Sequence, residues 1–384
     1  MFNKEKFDSG FLTQSRFRRI DPDNKKYYDS FIKPYLKFTN HPLIFESDFG
    51  LNFKRPRQEK NVFFFPYILI NSKIKSYHHK FLENPPQINV FLRDLSKTFF
   101  IDNAIEKYSN TLKNRFFQVN YLHSYVDKIS SKLEGNFFFI CGGYRDKGEL
   151  FKRFRENGIK TVEIQHGFIS PGNPVYNYPH DEYNHIKEYL PDYLLTYGQY
   201  WSNQVTSPKK VISVGNPLLN QLVDDFKNLP VLHKTILIIS QGNITSKLVD
   251  IAIFLSKTFP KYSIFFKLHP VEITFKKRYE ALYHYENIKI IKHDDVYKLI
   301  GSCDIIIGYN STVLFESIAF KNKRILILNN NSVPDGIGYK FSTNEELRNA
   351  ILDSNLGYPT VDSKYYWEPN WEKHFSSFLK EIKN

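Results

Sequence analysis

Residues 136–167 read NFFFICGGYRDKGELFKRFRENGIKTVEIQHG, and their pattern decides the fold class. The run 136–141 (NFFFIC) is unbroken and apolar and stops at Gly142-Gly143, as a strand buried on both faces does. The stretch 146–157 follows as a helix closed by Gly158, a C-cap signal. Residues 161–164 (TVEI) form a second strand that leads into Gln165-His166-Gly167. Strand, glycine turn, helix, glycine, strand is a βαβ unit, whose right-handed crossover implies a parallel sheet.

The same alternation returns downstream. Residues 235–240 (TILIIS) read as a strand, Gln241-Gly242-Asn243 as a loop, and 247–259 as an amphipathic helix stopped by Pro260. Strands follow at 263–268 (SIFFKL), 288–292 (IKIIK) and 304–308 (DIIIG), with 324–328 (RILIL) as the last. Short helices at 296–303 and 313–320 separate them. Upstream, 62–65 (VFFF) before Pro66 reads as a short buried strand and 102–133 as a helix, while 1–60 yields no regular element. The tail 363–384 carries Trp367, Trp371 and an amphipathic segment (WEKHFSSFLKEI), predicted to dock as a closing helix. The predicted architecture is a doubly wound α/β array, with ligand at the C-terminal strand ends.

Length and composition bound the rest. At about 150 residues per domain, 384 residues allow two or three domains. With 41% hydrophobic and 24% charged residues the chain is globular. Apolar runs such as 62–65 and 137–141 fall far short of the roughly 20 residues that span a bilayer. The start, MFNKEKFDSGFL, has no apolar core of a signal peptide, so a cytoplasmic protein is expected. Cys141 and Cys303 make no disulfide framework and no CxxC pair. Lys and Arg number 53 against 40 Asp and Glu, a net charge of +13. Coding bias toward A/T-rich codons, visible in 35 Phe and 26 Tyr, explains part of it. The remainder points to nucleic acid, anionic lipid or a phosphorylated substrate. The basic residues are scattered and no zinc-finger or RRM signature accompanies them, which argues against nucleic acid.

Three strand ends carry candidate chemistry. In 308–316 (GYNSTVLFE), Ser311 and Thr312 fall where free helix N–H groups and the helix dipole favour an anion. Glu316 lies one turn beyond Thr312 on the same face, placed to accept hydrogen bonds from a ribose. The alternative is that Ser311 or Thr312 caps the helix and Glu316 closes the capping arrangement. In Lys267-Leu268-His269-Pro270, a histidine at a strand's C-terminal edge is placed to donate to a phosphate oxygen; His41-Pro42 lacks that context. In 163–168 (EIQHGF), His166 would face a cleft between the halves, with Asp146 beside it at the adjacent strand end. Either is a candidate general base, against the reading of His166 as a satisfied structural group. There is no GxGxxG after either first strand, no GxxxxGK[ST], no HExxH, no paired-Cys spacing and no GxSxG elbow. Asp224-Asp225 and Asp294-Asp295 are adjacent pairs and present no spaced metal-chelating carboxylates.

Together these segments resemble a GT-B glycosyltransferase of the bacterial group that builds capsules and lipopolysaccharides. The resemblance covers about 140–330. TVEIQHG (161–167) resembles the strand and turn of the acceptor-side domain. PDYLLTYGQYW (191–201) with VGNP (214–217) resembles the run into the interdomain linker. FKLHP (266–270) resembles the HP motif of Kdo transferases, sialyltransferases and glycerophosphotransferases, and Ser311-Thr312 through Glu316 their Ser/Thr motif at the donor phosphate.

The resemblance implies two Rossmann-like domains facing across a cleft, 1–220 on the acceptor side and 221–362 on the donor side, with 363–384 as the closing helix. It implies a nucleotide-sugar donor held by His269, Ser311, Thr312, Glu316, Lys267, Gln241 and Gly242, with a CMP-sugar such as CMP-Kdo favoured. CDP-glycerol transfer, UDP-sugar transfer and 2-epimerisation share the architecture. The acceptor is a surface polysaccharide or lipid-linked glycan, with peripheral contact to an anionic inner membrane. No metal or other cofactor is implied, and no nucleic acid. The acidic motif that carries the base in several sialyltransferases is absent, leaving Asp146, Glu149 and His166 as stand-ins. A basic protein binding an anionic polymer, the non-enzymatic alternative, would need neither His269 nor Ser311.

Overall fold

The computed structural model describes residues 5–47, 53–77, 83, 85–99, 103–143, 147–226, 228–293 and 295–383. Two wholly parallel sheets organise them. The first comprises β1 (Ser9–Gln14), β4 (Pro42–Ser47), β5 (Val62–Phe64), β6 (Phe137–Cys141), β7 (Lys160–Ile164), β8 (Tyr193–Thr196) and β9 (Lys210–Ser213). Its spatial order is β5-β4-β1-β6-β7-β8-β9. An antiparallel hairpin, β2 (Arg18–Ile20) and β3 (Tyr27–Asp29), is inserted after β1. The second sheet comprises β10 (Leu232–Ile239), β11 (Ser263–Lys267), β12 (Ile288–Ile291), β13 (Cys303–Gly308), β14 (Arg324–Leu328) and β15 (Tyr339–Phe341), ordered β12-β11-β10-β13-β14-β15. Both sheets thus follow the order third, second, first, fourth, fifth, sixth of a doubly wound domain, and the first adds a seventh strand. The order reverses between β1 and β6 and between β10 and β13, where such sheets open a ligand crevice.

The βαβ unit predicted over 136–167 is present. β6 and β7 pair in parallel from Phe137 with Lys160 to Cys141 with Ile164, around the helix Gly148–Glu156. Gly158 ends that helix at φ +73°, a conformation open to glycine and strained for other residues. Every strand predicted between 235 and 328 is also present.

Four expectations need correction. Residues 1–60 hold β1 to β4. β1 (SGFLTQ) escapes notice because Ser9, Thr13 and Gln14 are polar, although Ser9 and Thr13 are buried. Thr13 Oγ1 donates to Asp29 (2.6 Å), which removes the cost of burying it. Residues 193–196, read only as part of a run toward the linker, and 210–213, given no element, are strands of four residues each, too short to alternate visibly. β14 is not the last strand, since the three-residue β15 pairs beside it. Phe65 opens the helix Phe65–Tyr77 and does not close the strand, because Pro66 is tolerated in a first turn.

The terminal helix Trp371–Lys383 returns to the first sheet. Trp371, Phe375, Phe378 and Ile382 recur at helical spacing and are buried with Phe11, Tyr35, Phe137 and Phe139. Each large side chain so buried stabilises by about 2–3 kcal/mol. The strap leading to it joins the two sheets. Trp367 Nε1 donates to Phe315 O in the helix Thr312–Ser317 beside the second (2.9 Å), and the Glu368 N–H donates to Tyr197 O just after β8 of the first (2.7 Å). No described helix is long and apolar enough to cross a membrane.

Candidate functional site

Parallel strands that stop together leave their last residues around a common edge. At the C-terminal edge of the second sheet lies a cleft of about 680 Å³, within the roughly 300–1,000 Å³ of small-molecule sites. Ser240 enters it from β10, Lys267 and His269 from β11, Lys292 and His293 from β12, and Ser311 from the loop after β13. The opposite wall is the inserted hairpin, through Arg19, Ile20 and Tyr28.

His269 is held in a defined tautomer. Its Nδ1 accepts the Val271 N–H (3.3 Å), so the neutral ring carries its proton on Nε2. Glu272 accepts the His269 N–H (3.2 Å) and closes a capping box around Pro270. Lys267 Nζ donates to Leu268 O (3.3 Å) and Lys292 O (3.1 Å), which tethers its ammonium at the rim. Ser311 Oγ accepts the Val313 N–H (3.3 Å), so Ser311 is the N-cap of the helix Thr312–Ser317. Thr312 is the first helical residue and is half-buried.

Glu316 takes no part in that cap. It is buried, and Tyr297, a cleft residue, hydrogen-bonds to it. Burial pushes its carboxyl up to about 7, although the Tyr297 bond pulls the other way. Gln241 joins the two strand ends at the reversal of strand order. Its side-chain amide donates to Asn310 Oδ1, and its Oε1 accepts the Asn310 N–H (3.3 Å). Gly242 presents its carbonyl to Arg278 (3.4 Å). His269, Lys267 and Ser311 therefore share one cleft, with Glu316 behind Tyr297, whereas Gln241 and Gly242 brace the loop beside it.

A buried ionic network holds the hairpin wall. Arg18 bonds Glu46 at the end of β4 and Glu59 (2.6 Å), and Arg57 bonds Glu46 (2.8 Å). Asp29 accepts from Thr13, Phe31 N and Ile32 N, and burial pushes it up to about 6. With Arg18 and Asp29 locked inward, Arg19 and Tyr28 are presented to the cleft. The Asp-x-Asp pair that the motif reading passes over, Asp21-Pro22-Asp23, sits in this hairpin's turn. There Asp21 accepts from Asp23 N (2.9 Å), Asn24 and Gln58.

On the first sheet, Glu163 is a structural acid. It accepts from Lys209 Nζ (3.1 Å), Tyr176 OH (3.1 Å) and Gly143 N–H (3.0 Å), all buried. Gln165 staples its own turn, donating to Gly167 O (2.8 Å) and accepting the Tyr197 N–H (2.9 Å). His166 follows at the C-terminal end of β7 and does not line the 680 Å³ cleft. Burial, aided by Arg16 and Lys147 and opposed by Glu163, lowers its imidazole to about 4, so it is neutral at pH 7. Asp146 lies outside the described residues. Glu149 faces away and pairs with His123 (3.0 Å). Among the described residues no group of three or more His, Cys, Asp or Glu side chains converges as a metal site.

The sequence reading passed over Arg19, Tyr28, Lys292, His293, Asp295 and Tyr297. Lys292 and His293 carried a usable signal, because they end the 288–292 run as His269 ends its own.

No family model and no curated protein matches the sequence. Solved structures do match. UDP-GlcNAc 2-epimerase from Neisseria meningitidis, bound to UDP-GlcNAc, superposes with TM-score 0.54 at 12% identity, over 97% of this chain and 99% of that one. The UDP-GlcNAc 2-epimerase from Methanocaldococcus jannaschii gives 0.53 at 14% identity with the same coverage. A variant of the wall teichoic acid polymerase TagF, soaked with CDPG, gives 0.51 at 13% identity over 99% and 89%. The fold is GT-B. Its two doubly wound domains face each other as expected, and the cleft lies between the strand ends of the second and the inserted hairpin of the first.

Proposed function

We propose that this chain is a glycosyltransferase that moves a sugar from a nucleotide-activated donor to a surface polysaccharide or glycolipid acceptor. The observation that carries the reading is the convergence of Lys267 and His269, from the end of β11, and Ser311, from the loop after β13, on one cleft of nucleotide size. The resemblance of FKLHP and the Ser/Thr segment to cytidine-nucleotide transferases favours a CMP-sugar such as CMP-Kdo as donor. The His269 Nε2–H donates to a phosphate oxygen, and Lys267 lowers the potential around it. Charge building on the leaving nucleotide is thereby stabilised by groups already in place. Tyr297 contacts the ribose side of the nucleotide, oriented by its hydrogen bond to Glu316 behind it. His166, neutral at working pH, takes the acceptor proton when the domains close.

The reading is tested by incubating the protein with CMP-Kdo, CMP-sialic acid, CDP-glycerol and UDP-GlcNAc and measuring nucleotide release. Release from a CMP-sugar, insensitive to chelator and reduced about 10–100-fold by His269→Ala, is expected, the range for losing a hydrogen bond to a charged group. Turnover of CDP-glycerol alone would make the chain a glycerophosphotransferase. Conversion of UDP-GlcNAc without nucleotide release would make it an epimerase.

A further inference from the structure

A second cavity, of about 230 Å³, lies at the opposite edge of the second sheet, where β10, β13 and β14 begin. Its walls are largely apolar. Val223 and Phe226 come from the helix Pro217–Phe226, Leu229 from the segment after it, and Ala319 and Phe320 from the turn that leads to β14. Lys323 lines it as well, although only 3% exposed. Its Nζ donates to Gly301 O (2.7 Å) and Cys303 O (2.9 Å), at the end of the helix Val296–Ser302. An ammonium carries three hydrogens, and two of them are so placed. Carbonyls accept these hydrogens but cancel no charge. Asp304 acts on the ammonium only through space, and no carboxylate among the described residues pairs with it. Burial holds its pKa below the usual lysine value, with Cys303 and Asp304 pulling the other way. A buried charge left without a counter-ion is costly.

We infer that this cavity binds a small amphipathic carboxylate, its head on the Lys323 ammonium and its apolar body against Phe226, Leu229 and Phe320. Among the described residues the lining holds two cations, Lys323 and the exposed Lys321, and no carboxylate. Asp224 and Asp225, in the bordering helix, are exposed and do not line it. A carboxylate supplies the one charge that Lys323 lacks. A neutral alcohol of the same length would fill the space and leave the ammonium uncompensated. A phosphate would bring more charge than one buried ammonium neutralises, and would set it against apolar walls and the carbonyls that end a helix. The two helices that border this cavity also carry Leu218, Leu222 and Tyr297 to the nucleotide cleft, so the two sites share walls but no lining residue. This site goes beyond the transferase reading and does not rest on it.

Hexanoate is titrated into the full chain by calorimetry, with hexanol, acetate and inorganic phosphate as comparators. Saturable hexanoate binding at a single site is expected. Hexanol, which lacks the charge, and acetate, which lacks the apolar body, should each bind about tenfold more weakly, and phosphate more weakly still. Lys323→Met should lower hexanoate affinity about tenfold. Should that variant fail to fold, having left Gly301 O and Cys303 O without their donor, Ala319→Leu decides. It keeps Lys323, fills the cavity and should abolish hexanoate binding. No hexanoate binding to the wild type, hexanol or phosphate binding as tightly as hexanoate, or an unchanged hexanoate affinity in Ala319→Leu overturns the site. Stabilisation by nucleotide reads the cleft and should persist in Ala319→Leu, which separates failure of this site from failure of the transferase reading.

Discussion

At the residue scale, two buried titratable groups set opposite pH dependences. Glu316, raised to about 7 by burial, holds its proton more tightly folded than unfolded. The stability it confers is complete below about pH 4 and is lost as pH rises through 7, at most about 3 kcal/mol. His166, lowered to about 4, behaves conversely. The unfolded chain takes up a proton near pH 6.5 that the folded chain refuses, so stability falls between about pH 6.5 and 4. Urea midpoints measured across pH should therefore separate the two. Between about pH 4.5 and 7 the two slopes oppose each other, so Glu316→Gln should make stability rise more steeply with pH in that window and His166→Asn should make it rise less or fall, and the reverse assignment would refute both placements. Legibility at this scale follows geometry. His269, Lys267 and Ser311 were readable because a parallel sheet sends its strand ends to one edge. Arg19 and Tyr28 were not, because the hairpin's place across the cleft depends on the contacts of Arg18 with Glu46 and Glu59, distant in sequence.

At the element scale, the segment 365–371 is the piece on which domain arrangement depends, and two glycines make room for it. A Cβ at Gly198 would lie 2.4 Å from Tyr366 O, and one at Gly215, where φ is +101°, 2.5 Å from Glu368 O. Trp201 Nε1 donates to Tyr366 O (2.8 Å) across the same contact. Gly215→Ala should cost about 2 kcal/mol or more, combining strained backbone with a steric clash. A lowered urea midpoint checks it, and a neutral substitution would show that the strap is not tightly seated. The segments TYGQYW and VGNP stood out in the sequence, but the reason for their glycines lay 150 residues away in the tail. β1 was hidden in a comparable way: a Cβ at Gly10 would lie 2.3 Å from the Phe138 ring, so packing, not strand propensity, chose the residue.

At the scale of the whole molecule, two copies of one strand order face each other, and a glutamine follows or ends the first strand of each. Gln14 reaches Cys141 O (3.5 Å) at one reversal of order and Gln241 meets Asn310 at the other. The second domain was legible because its strands are short Ile-, Leu- and Phe-rich runs cut by glycine and proline. The first was legible from residue 136 and, before that, in the strand at 62–64 and the helix Ala104–Ser130, whereas 1–60 mixes polar strand residues with a buried ionic network. Part of the +13 charge lies at the cleft, which Lys267, Lys292 and Arg19 rim. The central claim is that the cleft at the C-terminal edge of the second sheet holds a nucleotide. Thermal unfolding with CMP, CDP, UDP and GDP tests it most directly, because a ligand bound only by the folded state at 100 times its Kd adds about 2.7 kcal/mol. The account predicts that a cytidine nucleotide raises the melting temperature and that His269→Ala abolishes the rise. No shift with any of the four, or a shift that survives His269→Ala unchanged, would contradict it.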